Sequence, residues 1–355
     1  MVAKGRVVGL TLGALLSVVL TTACGGVSTA ARVVETGNCQ PRIAPVDRLA
    51  NAAAVCAAAT LDRWQAEGRM GIGQQLNVSS TDFAEPLKAL EPDAPALIGF
   101  DLEELQDAID AGNDPSDELI ARAKAGALLT ATWHARNPQT GGNFDDRSWT
   151  DTAQLLTAKS LSSTVFWHDW EQQLKNLKRF QEAGVAVILS PLHEAGGDWF
   201  WWGGTQATVF KQLWAQLQAR ASAAGVHNIL WAFAAAPKTR KEIVSPASLL
   251  PHAVDIVGID TYQETRANPV PALDLTDYRS LAARAPRMAI TEVGPHGSDG
   301  SWTPAVITST VKARKLSPVH ARLWFDDGDG RKQIASLKGG RQWLAGCPGG
   351  LCSIR

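Results

Sequence analysis

The stretch SPLHEAGGDWFWWG, at positions 190–203, places a His-Glu pair, a glycine turn and three of the chain's 13 tryptophans side by side. It follows an apolar run, residues 185–190, with the length and composition of a buried strand. The carboxylate of Glu194 would therefore emerge just past the C-terminal end of a strand, beside aromatic rings. This combination suits sugar chemistry, because the C–H faces of a pyranose stack on tryptophan.

Other polar side chains stand at the ends of comparable apolar runs. His134 follows residues 127–133, His193 precedes Glu194, Tyr262 follows residues 254–259, and Glu292 lies near the end of residues 287–293. Two glutamates that point into one mouth are what glycoside hydrolysis requires, one as acid and one as nucleophile or base. A lone glutamate or histidine at such a place is more often structural, so their joint placement carries the hypothesis.

The elements that must position these residues form a repeating pattern. Apolar, strand-like runs occupy residues 71–76, 96–100, 127–133, 185–192, 228–233, 254–259, 287–293 and 321–325. Helix-like stretches alternate with them, at residues 46–67, 118–126, 170–184 and 208–225. This alternation predicts an α/β fold with a parallel sheet, and its eight repeats favour a single (β/α)8 barrel.

A doubly wound open sheet is the alternative, but its Gly-rich phosphate turn after the first strand is missing from the sequence. In a barrel, reacting groups lie at the C-terminal ends of the strands. The long connection over residues 134–169 is rich in Gly, Asn and Asp, and we expect it to form a functional loop on that rim.

The stretch at 190–203 resembles the acid/base motif of glycoside hydrolase family 26, best known for β-mannanases, in which a His-Glu pair precedes a Trp-Phe-Trp-Trp-Gly run. Further stretches are similar to the family's other strand-end motifs, in the same order over nearly all of residues 70–326. They are GFD (99–101), TWHARNP (132–138), ILWAFAAAP (229–237), GIDTY (258–262), ITEVG (290–294) and LWF (323–325).

The resemblance implies a retaining double displacement, with Glu194 as acid/base and Glu292 as nucleophile. It also implies that Tyr262 hydrogen-bonds the nucleophile, and that His193 takes the place of the asparagine that precedes the acid/base in many related barrel enzymes. The resemblance assigns the remaining substrate-binding positions to Trp133, His134, Trp199 and Trp324.

Three departures from the family pattern bear on the substrate. The loop after Glu194 lacks the usual asparagine, Asp198 replaces a glycine, and Phe325 stands where some mannanases carry a basic residue. The resemblance favours endo-β-1,4-mannanase activity on mannan or galactomannan. Within the same family, β-1,3-xylan and mixed-linkage β-glucan remain as alternatives, and so does a non-catalytic surface protein that binds glycans. An enzyme that remodels the producer's own envelope polysaccharide is a further alternative.

The N-terminal residues have the features of a secretory signal. Basic side chains precede an apolar run over residues 7–20, which is short for a membrane span and ends in small residues before Cys24. Cys24 resembles the lipidated cysteine of bacterial lipoproteins, although Thr21 stands where leucine is usual. We expect a signal peptide at 1–23, a tether at 24–42 and a barrel domain at 43–355, either secreted or held on the outer face of the membrane through Cys24.

Composition restricts the partners. The formal net charge is −1, from 34 basic and 35 acidic residues, which gives no electrostatic reason to expect nucleic acid. The four cysteines other than Cys24 allow three pairings in an exported protein, and the two short loops favour Cys39–Cys56 and Cys347–Cys352. We expect a monomer that acts on a polysaccharide and needs no metal or organic cofactor.

Overall fold

The computed structural model describes residues 39–237, 244–265 and 272–355. Its strands are β1 (Arg69–Gln75), β2 (Leu97–Asp101), β3 (Leu128–Trp133), β4 (Val187–Pro191), β5 (Ile229–Ala235), β6 (Ile256–Glu264), β7 (Met288–His296), β8 (His320–Leu323) and β9 (Leu351–Ser353). Strands β1 to β8 pair in parallel in chain order. Strand β1 pairs with both β2 and β8, so the barrel is closed. The predicted fold class and all eight predicted strands are confirmed.

The helices form the outer layer. They are α1 (Ala52–Ala66), α2 (Glu85–Lys88), α3 (Leu102–Asp110), α4 (Ser116–Lys124), α5 (Leu161–Glu182), α6 (Ala207–Ala223), α7 (Pro246–Leu249), α8 (Tyr278–Ala282), α9 (Ala305–Ala313) and α10 (Gly340–Ala345). Each residue of β4 and β5 is buried, as expected for parallel strands packed on both faces. The side chains that face outward from the strands pack against these helices in one continuous apolar core.

Helix α1 covers the N-terminal end of the barrel. Its buried alanines, with Leu61 and Trp64, cluster with residues near the starts of several strands, including Leu97 and Leu230. The ring of Trp64 can reach β1 because Gly71 has no side chain, and a Cβ there would lie 2.5 Å from the ring. Because this end is filled with apolar side chains, the polar residues of the barrel are concentrated at the opposite rim.

Both disulfides lie near this covered end, one through Cys56 of α1 and the other through Cys352, which pairs with Met70 at the start of β1. The disulfides Cys39–Cys56 and Cys347–Cys352 are present, so the predicted pairing is confirmed. Strand β9, which the apolar pattern did not predict, runs antiparallel to β1. The predicted signal peptide, Cys24 and most of the predicted tether lie outside the described residues. Within the described ranges, no helix has the length and apolarity needed to span a bilayer.

The connection after β3 is shorter than predicted. Residues 134–160 form the loop, and α5 already begins at Leu161, where Ser160 accepts a hydrogen bond from the Ser163 N–H as an N-cap. Helix α1 also begins later than predicted, at Ala52, with Asn51 as its cap. The polar residues at both helix starts act as caps, and capping contacts are weakly visible in an apolar pattern.

Candidate active site

The turn after β4 presents Glu194 to the interior of the rim. Its backbone N–H donates to the Ala234 carbonyl on β5 at 2.9 Å, and its φ is 53°, in the left-handed region that few side chains adopt. The side chain is 5 % exposed. The indole Nε1–H of Trp199 donates to Glu194 Oε2 at 2.5 Å. The WFWW segment therefore folds back so that its first tryptophan orients this carboxyl group.

Glu292 lies within β7 and is held from two sides. The Tyr262 hydroxyl donates to Oε2 at 2.9 Å, and Arg322 Nη2 donates to Oε1 at 3.1 Å. His193 Nε2 lies 3.7 Å from the same Oε1. Burial raises the pKa of the Glu292 carboxyl above its ordinary value, while Arg322, His134 and Tyr262 each lower it in part. The net pKa of Glu292 is therefore raised, and its surroundings stabilise the ionised carboxylate less than its hydrogen bonds alone would.

Histidine and aromatic rings form one wall of the cleft into which Glu194 and Glu292 point, at the carboxyl rim of the barrel; this cleft is called the mouth below. The His134 ring lies 4.5 Å from that of His193, edge to face, and 6.0 Å from that of Trp324. Phe144, from the loop after β3, lies 4.7 Å from His134 and is 38 % exposed. The structure thus brings Glu194, Glu292 and five of the six predicted binding residues to one rim.

The other two tryptophans of the WFWW segment are almost completely buried behind the wall of the mouth. Trp201 and Trp202 are at most 1 % exposed. Their indole nitrogens donate to backbone carbonyls of Ala135 and His193, both at 2.8 Å. Trp201 thereby fastens the turn after β4 to the β3 loop, and Trp202 closes the turn on its own backbone. Two of the three clustered tryptophans, which first suggested sugar stacking, therefore serve to fix the position of this turn.

Trp133 does not join the mouth, in contrast to the sequence-based expectation. Its side chain is 0 % exposed, and its ring packs against Phe166 and Trp170 of α5 at centroid distances of 5.2 and 5.1 Å. The reason is strand alternation: Thr132 points into the barrel, so the next residue points outward to the helices. Direct contact of Trp133 with a ligand in the mouth is not supported.

Asp101 connects the wall to the barrel. Its Oδ2 accepts from the Thr132 hydroxyl at 2.8 Å, from the His134 N–H at 3.0 Å and from His134 Nδ1 at 2.9 Å. Its Oδ1 caps α3 by accepting from the N–H of Glu103. Burial lowers the pKa of His134, but the charge and hydrogen bond of Asp101 outweigh it, and the net pKa of His134 is raised. Asp101 therefore fixes one ring orientation and one tautomer.

Trp324 follows the last residue of β8, where the sequence pattern had placed it inside the strand. Its ring stacks on Phe325 with centroids 5.1 Å apart and planes 26° from parallel. Both side chains are half-buried. The pair presents an aromatic surface at the rim, beside His134.

A further carboxyl group lies deep in the site. His193, Asp260 and Glu292 each place one potential ligand atom within 4.8 Å of the others. Burial, followed by the charges of Glu292 and Glu194, raises the pKa of Asp260 well above its ordinary value. The Arg322 guanidinium already binds Glu292. The fixed positive charge of Arg322 beside Glu292 would repel a divalent cation at the same carboxyl group, so these three residues do not fit a metal site.

The sequence reasoning did not select four of the residues that contact the site: Gln75, Asp101, Asp260 and Arg322. Asp101 and Asp260 lie in the motifs GFD and GIDTY, so their positions at strand ends were visible. The signal for Arg322 was a charged residue inside an otherwise apolar strand, two residues before Trp324. Charged side chains are rarely buried without a partner, so such a residue implies a buried acid nearby.

The fold and these contacts together define a class of protein. The chain forms a closed (β/α)8 barrel with two buried glutamates at its carboxyl rim. One glutamate accepts a hydrogen bond from a tryptophan and the other from a tyrosine. These are the parts of a glycoside hydrolase that works through paired carboxylates. Residues 61–339 match the model of glycosyl hydrolase family 26. The chain belongs to this family and is a glycoside hydrolase.

Relatives resemble the chain over lengths that range from about two fifths to more than four fifths of it. A mannan endo-1,4-beta-mannosidase of Bacillus subtilis is 24% identical over 265 residues, which cover 69% of this chain and 70% of that protein. A mannan endo-1,4-beta-mannosidase of Thermothelomyces thermophilus is 33% identical over 152 residues, 39% of this chain and 32% of that protein, so the match spans about a third of that relative. The crystal structure of the YdhT protein from Bacillus subtilis superposes with a TM-score of 0.71 at 22% identity, covering 84% of this chain and 92% of that one, which shows the shared fold.

Proposed function

We propose that the chain is an exported, retaining endo-β-1,4-mannanase that cleaves mannan or galactomannan by double displacement. The observation that carries the proposal is the difference between the two carboxyl environments. Glu292 is fixed at both oxygens by Tyr262 and Arg322, as a nucleophile must be. Glu194 accepts a hydrogen bond from the indole of Trp199 and is assigned the acid/base role.

In the first step, Glu292 attacks the anomeric carbon while Glu194 donates its proton to the glycosidic oxygen. The C–O bond to the leaving sugar breaks as the bond from Glu292 to the anomeric carbon forms. Tyr262 and Arg322 keep the attacking carboxylate in one orientation, so that little orientational freedom is lost when the transition state forms.

In the second step, Glu194 acts as the base. Once Glu292 is esterified, its charge is gone, and the pKa of Glu194 falls enough for that group to lose its proton. Glu194 then takes a proton from water as the water oxygen attacks the anomeric carbon, and Glu292 leaves as a carboxylate. Both displacements occur with inversion, so the product has the substrate's configuration.

The wall provides the sugar contacts in this proposal. Trp199 and Trp324 offer aromatic faces to a pyranose ring, and His134 and His193 offer ring nitrogens to its hydroxyl groups. Mannan is favoured because the relatives reported above are mannan endo-1,4-beta-mannosidases. The stacked Trp324–Phe325 pair extends the apolar part of the wall, at a position where some mannanases carry a basic residue. Because this departure bears on the substrate, β-1,3-xylan and mixed-linkage β-glucan belong in the test.

Export is part of the proposal. The basic and apolar residues before Cys24 support it, and so do the two disulfides, since structural disulfides persist in oxidising compartments outside the cytosol. Fractionation of the producing cell, with and without Cys24→Ser, separates a lipid-anchored protein from one released into the medium.

The experiment for the activity is reducing-sugar release by the purified mature protein on galactomannan, β-1,3-xylan and mixed-linkage β-glucan in parallel. We expect release from galactomannan, at least about 10³-fold less from Glu292→Ala, and retention of anomeric configuration in early products by proton NMR. Inverted product would contradict the mechanism. Folded protein that binds one of the polymers and cleaves none would support the binding-only alternative.

A further inference from the structure

An arginine buried inside the barrel donates a hydrogen bond to the proposed nucleophile, Glu292. Arg322 lies on β8, and its side chain is 1% exposed, as is expected only for a charge with good partners. All three of its nitrogens donate: Nε to the Thr291 carbonyl at 2.9 Å, Nη1 to Gln75 Oε1 at 2.7 Å and Nη2 to Glu292 Oε1 at 3.1 Å. The guanidinium plane is therefore held on three sides.

The neighbouring strands leave space for this side chain. Gly73 on β1 and Gly99 on β2 both face Arg322. A Cβ at Gly99 would lie 2.6 Å from Arg322 Cδ and would also meet Gln75 Oε1. At Gly73 the nearest atom to a Cβ would be Arg322 Cβ, at 3.2 Å. The absence of side chains at the two glycines thus leaves the space that the Arg322 side chain occupies, and Gln75 accepts a hydrogen bond from it there.

Burying a guanidinium costs free energy that an apolar side chain at the same place would not, and the pair with Glu292 offsets only part of it. A structural requirement alone would be met by leucine or methionine. We propose that Arg322 is a positioning residue for the reaction, which fixes the orientation of the Glu292 carboxylate and balances its charge. The role rests on the proposed function of Glu292 as nucleophile.

Among residues 39–237, 244–265 and 272–355, the other groups around Glu292 supply no permanent positive charge. Titratable and charged groups face it from five neighbouring elements: Asp101 on β2, His134 after β3, His193 and Glu194 after β4, Asp260 and Tyr262 on β6, and Arg322 on β8. Burial lowers the pKa of His193 well below its ordinary value, so this ring is neutral. The pKa of His134 is raised, and Asp101 Oδ2, 2.9 Å from its Nδ1, balances the charge of the ring when it is protonated.

The test compares Arg322→Met with Arg322→Lys and with Arg287→Met. Arg287 is a matched control, because it is also 1% exposed and ion-paired, with Asp62 at 2.8 Å, but it lies at the opposite end of the barrel. The first readout is the carboxyl ¹³C titration of Glu292, assigned by its loss in Glu292→Gln. The second is the pH dependence of kcat/KM on galactomannan.

For Arg322→Met we expect the pKa of Glu292 and the acidic limb of kcat/KM to move up together by about 1 to 3 pH units. We also expect kcat at the optimum to fall at least about tenfold, because the carboxylate is no longer held. Arg322→Lys should restore the acidic limb and leave kcat low, because an ammonium keeps the charge without the planar fork. Arg287→Met should lower Tm and move neither readout.

A folded Arg322→Met protein in which Glu292 titrates as in the wild type would overturn the proposal. Should this variant not fold, Gly99→Ala tests the same contact by displacing Arg322 and Gln75 without altering either. It should raise the pKa of Glu292, and an unchanged pKa would refute the role. Because the NMR titration needs no substrate, a wild-type protein that cleaves none of the polymers would count against the proposed function and leave this test intact.

Discussion

The contacts of Asp101 allow a quantitative prediction for Asp101→Asn. Asn keeps one oxygen for the α3 cap, which aspartate and asparagine fill about equally well. Its amide nitrogen, however, would face donors that the carboxylate now satisfies: the Thr132 hydroxyl, the His134 N–H and His134 Nδ1. The substitution therefore removes the charge and the acceptor together and retains the shape.

The magnitude follows from burial. The Asp101 side chain is 2% exposed and that of His134 is 12% exposed, so the ion pair is poorly screened. Breaking a buried pair costs about 3–5 kcal/mol, and the loss is smaller here because His134 can give up its proton. We expect the free energy of unfolding to fall by about 2–4 kcal/mol, which for a barrel of this size corresponds to a decrease in Tm of about 3–6 °C.

The pH dependence supplies a second, independent signature. The pKa of Asp101 is lowered from 3.8, because the charge and hydrogen bonds of His134 outweigh burial, so its contribution is lost as pH falls below that value. The pKa of His134 is raised from 6.5, so its contribution is present below 6.5 and is lost as pH rises through the folded-state value. The Tm difference between wild type and Asp101→Asn should therefore be larger at about pH 5.5 than at about pH 8.5.

The assay is scanning calorimetry of both proteins at these two pH values. Asp114→Asn is the matched control, since Asp114 also accepts from a backbone N–H and pairs with an arginine, Arg179, but with 36% of its side chain exposed. Exposed pairs contribute about 0–1 kcal/mol, so the control should shift Tm by less than about 2 °C. An Asp101→Asn protein within about 1 kcal/mol of wild type, or a difference that does not change with pH, would refute the reasoning.

Three further predictions follow from single contacts. Trp199→Phe removes the N–H that donates to Glu194, so the pKa of Glu194 should rise. The alkaline limb of kcat/KM should then move to higher pH, and an unchanged limb would show that the contact is unimportant. Trp133→Phe should cost about 1–3 kcal/mol in thermal unfolding and change KM less than twofold, because the ring packs under α5; a large rise in KM would place it in the mouth after all. Burial, with the charge of Asp101, raises the pKa of Glu104 from 4.5 to about 8, so wild-type stability should fall as pH rises between these values. Glu104→Gln should therefore have the higher Tm at pH 8, with no advantage at pH 4, and equal values at pH 8 would contradict the buried-acid interpretation.

Much of the architecture could be predicted from local patterns. Apolar runs marked all eight barrel strands, because strands buried on both faces carry mostly apolar side chains. The strand-end placement of Glu194, Glu292, His134 and Tyr262 was likewise visible, since parallel strands bring their carboxyl ends to one rim. Strand β9 was missed because its sequence is short and contains a cysteine.

Side-chain direction was the less predictable part. Trp133 and His134 are adjacent in sequence, yet one packs outward under α5 and the other lines the mouth. Alternation within β3 could have indicated this, but the end of a strand had to be known to within one residue. The WFWW segment shows the same limit, because the direction of each ring depends on the turn around Glu194, including its left-handed backbone.

The sequence by itself determined the class of fold and the strand-end positions of the two glutamates, and it favoured one of three disulfide pairings, because these depend on residue type, spacing and strand order. Only the tertiary structure decided which groups surround each carboxyl. Arg322 is 247 residues from Gln75 and 30 from Glu292, and their contact exists because closure of the barrel brings β8 against β1 and β7. The charge state of a buried acid depends on such long-range neighbours and on exclusion of water, and neither is encoded in any short stretch of the chain.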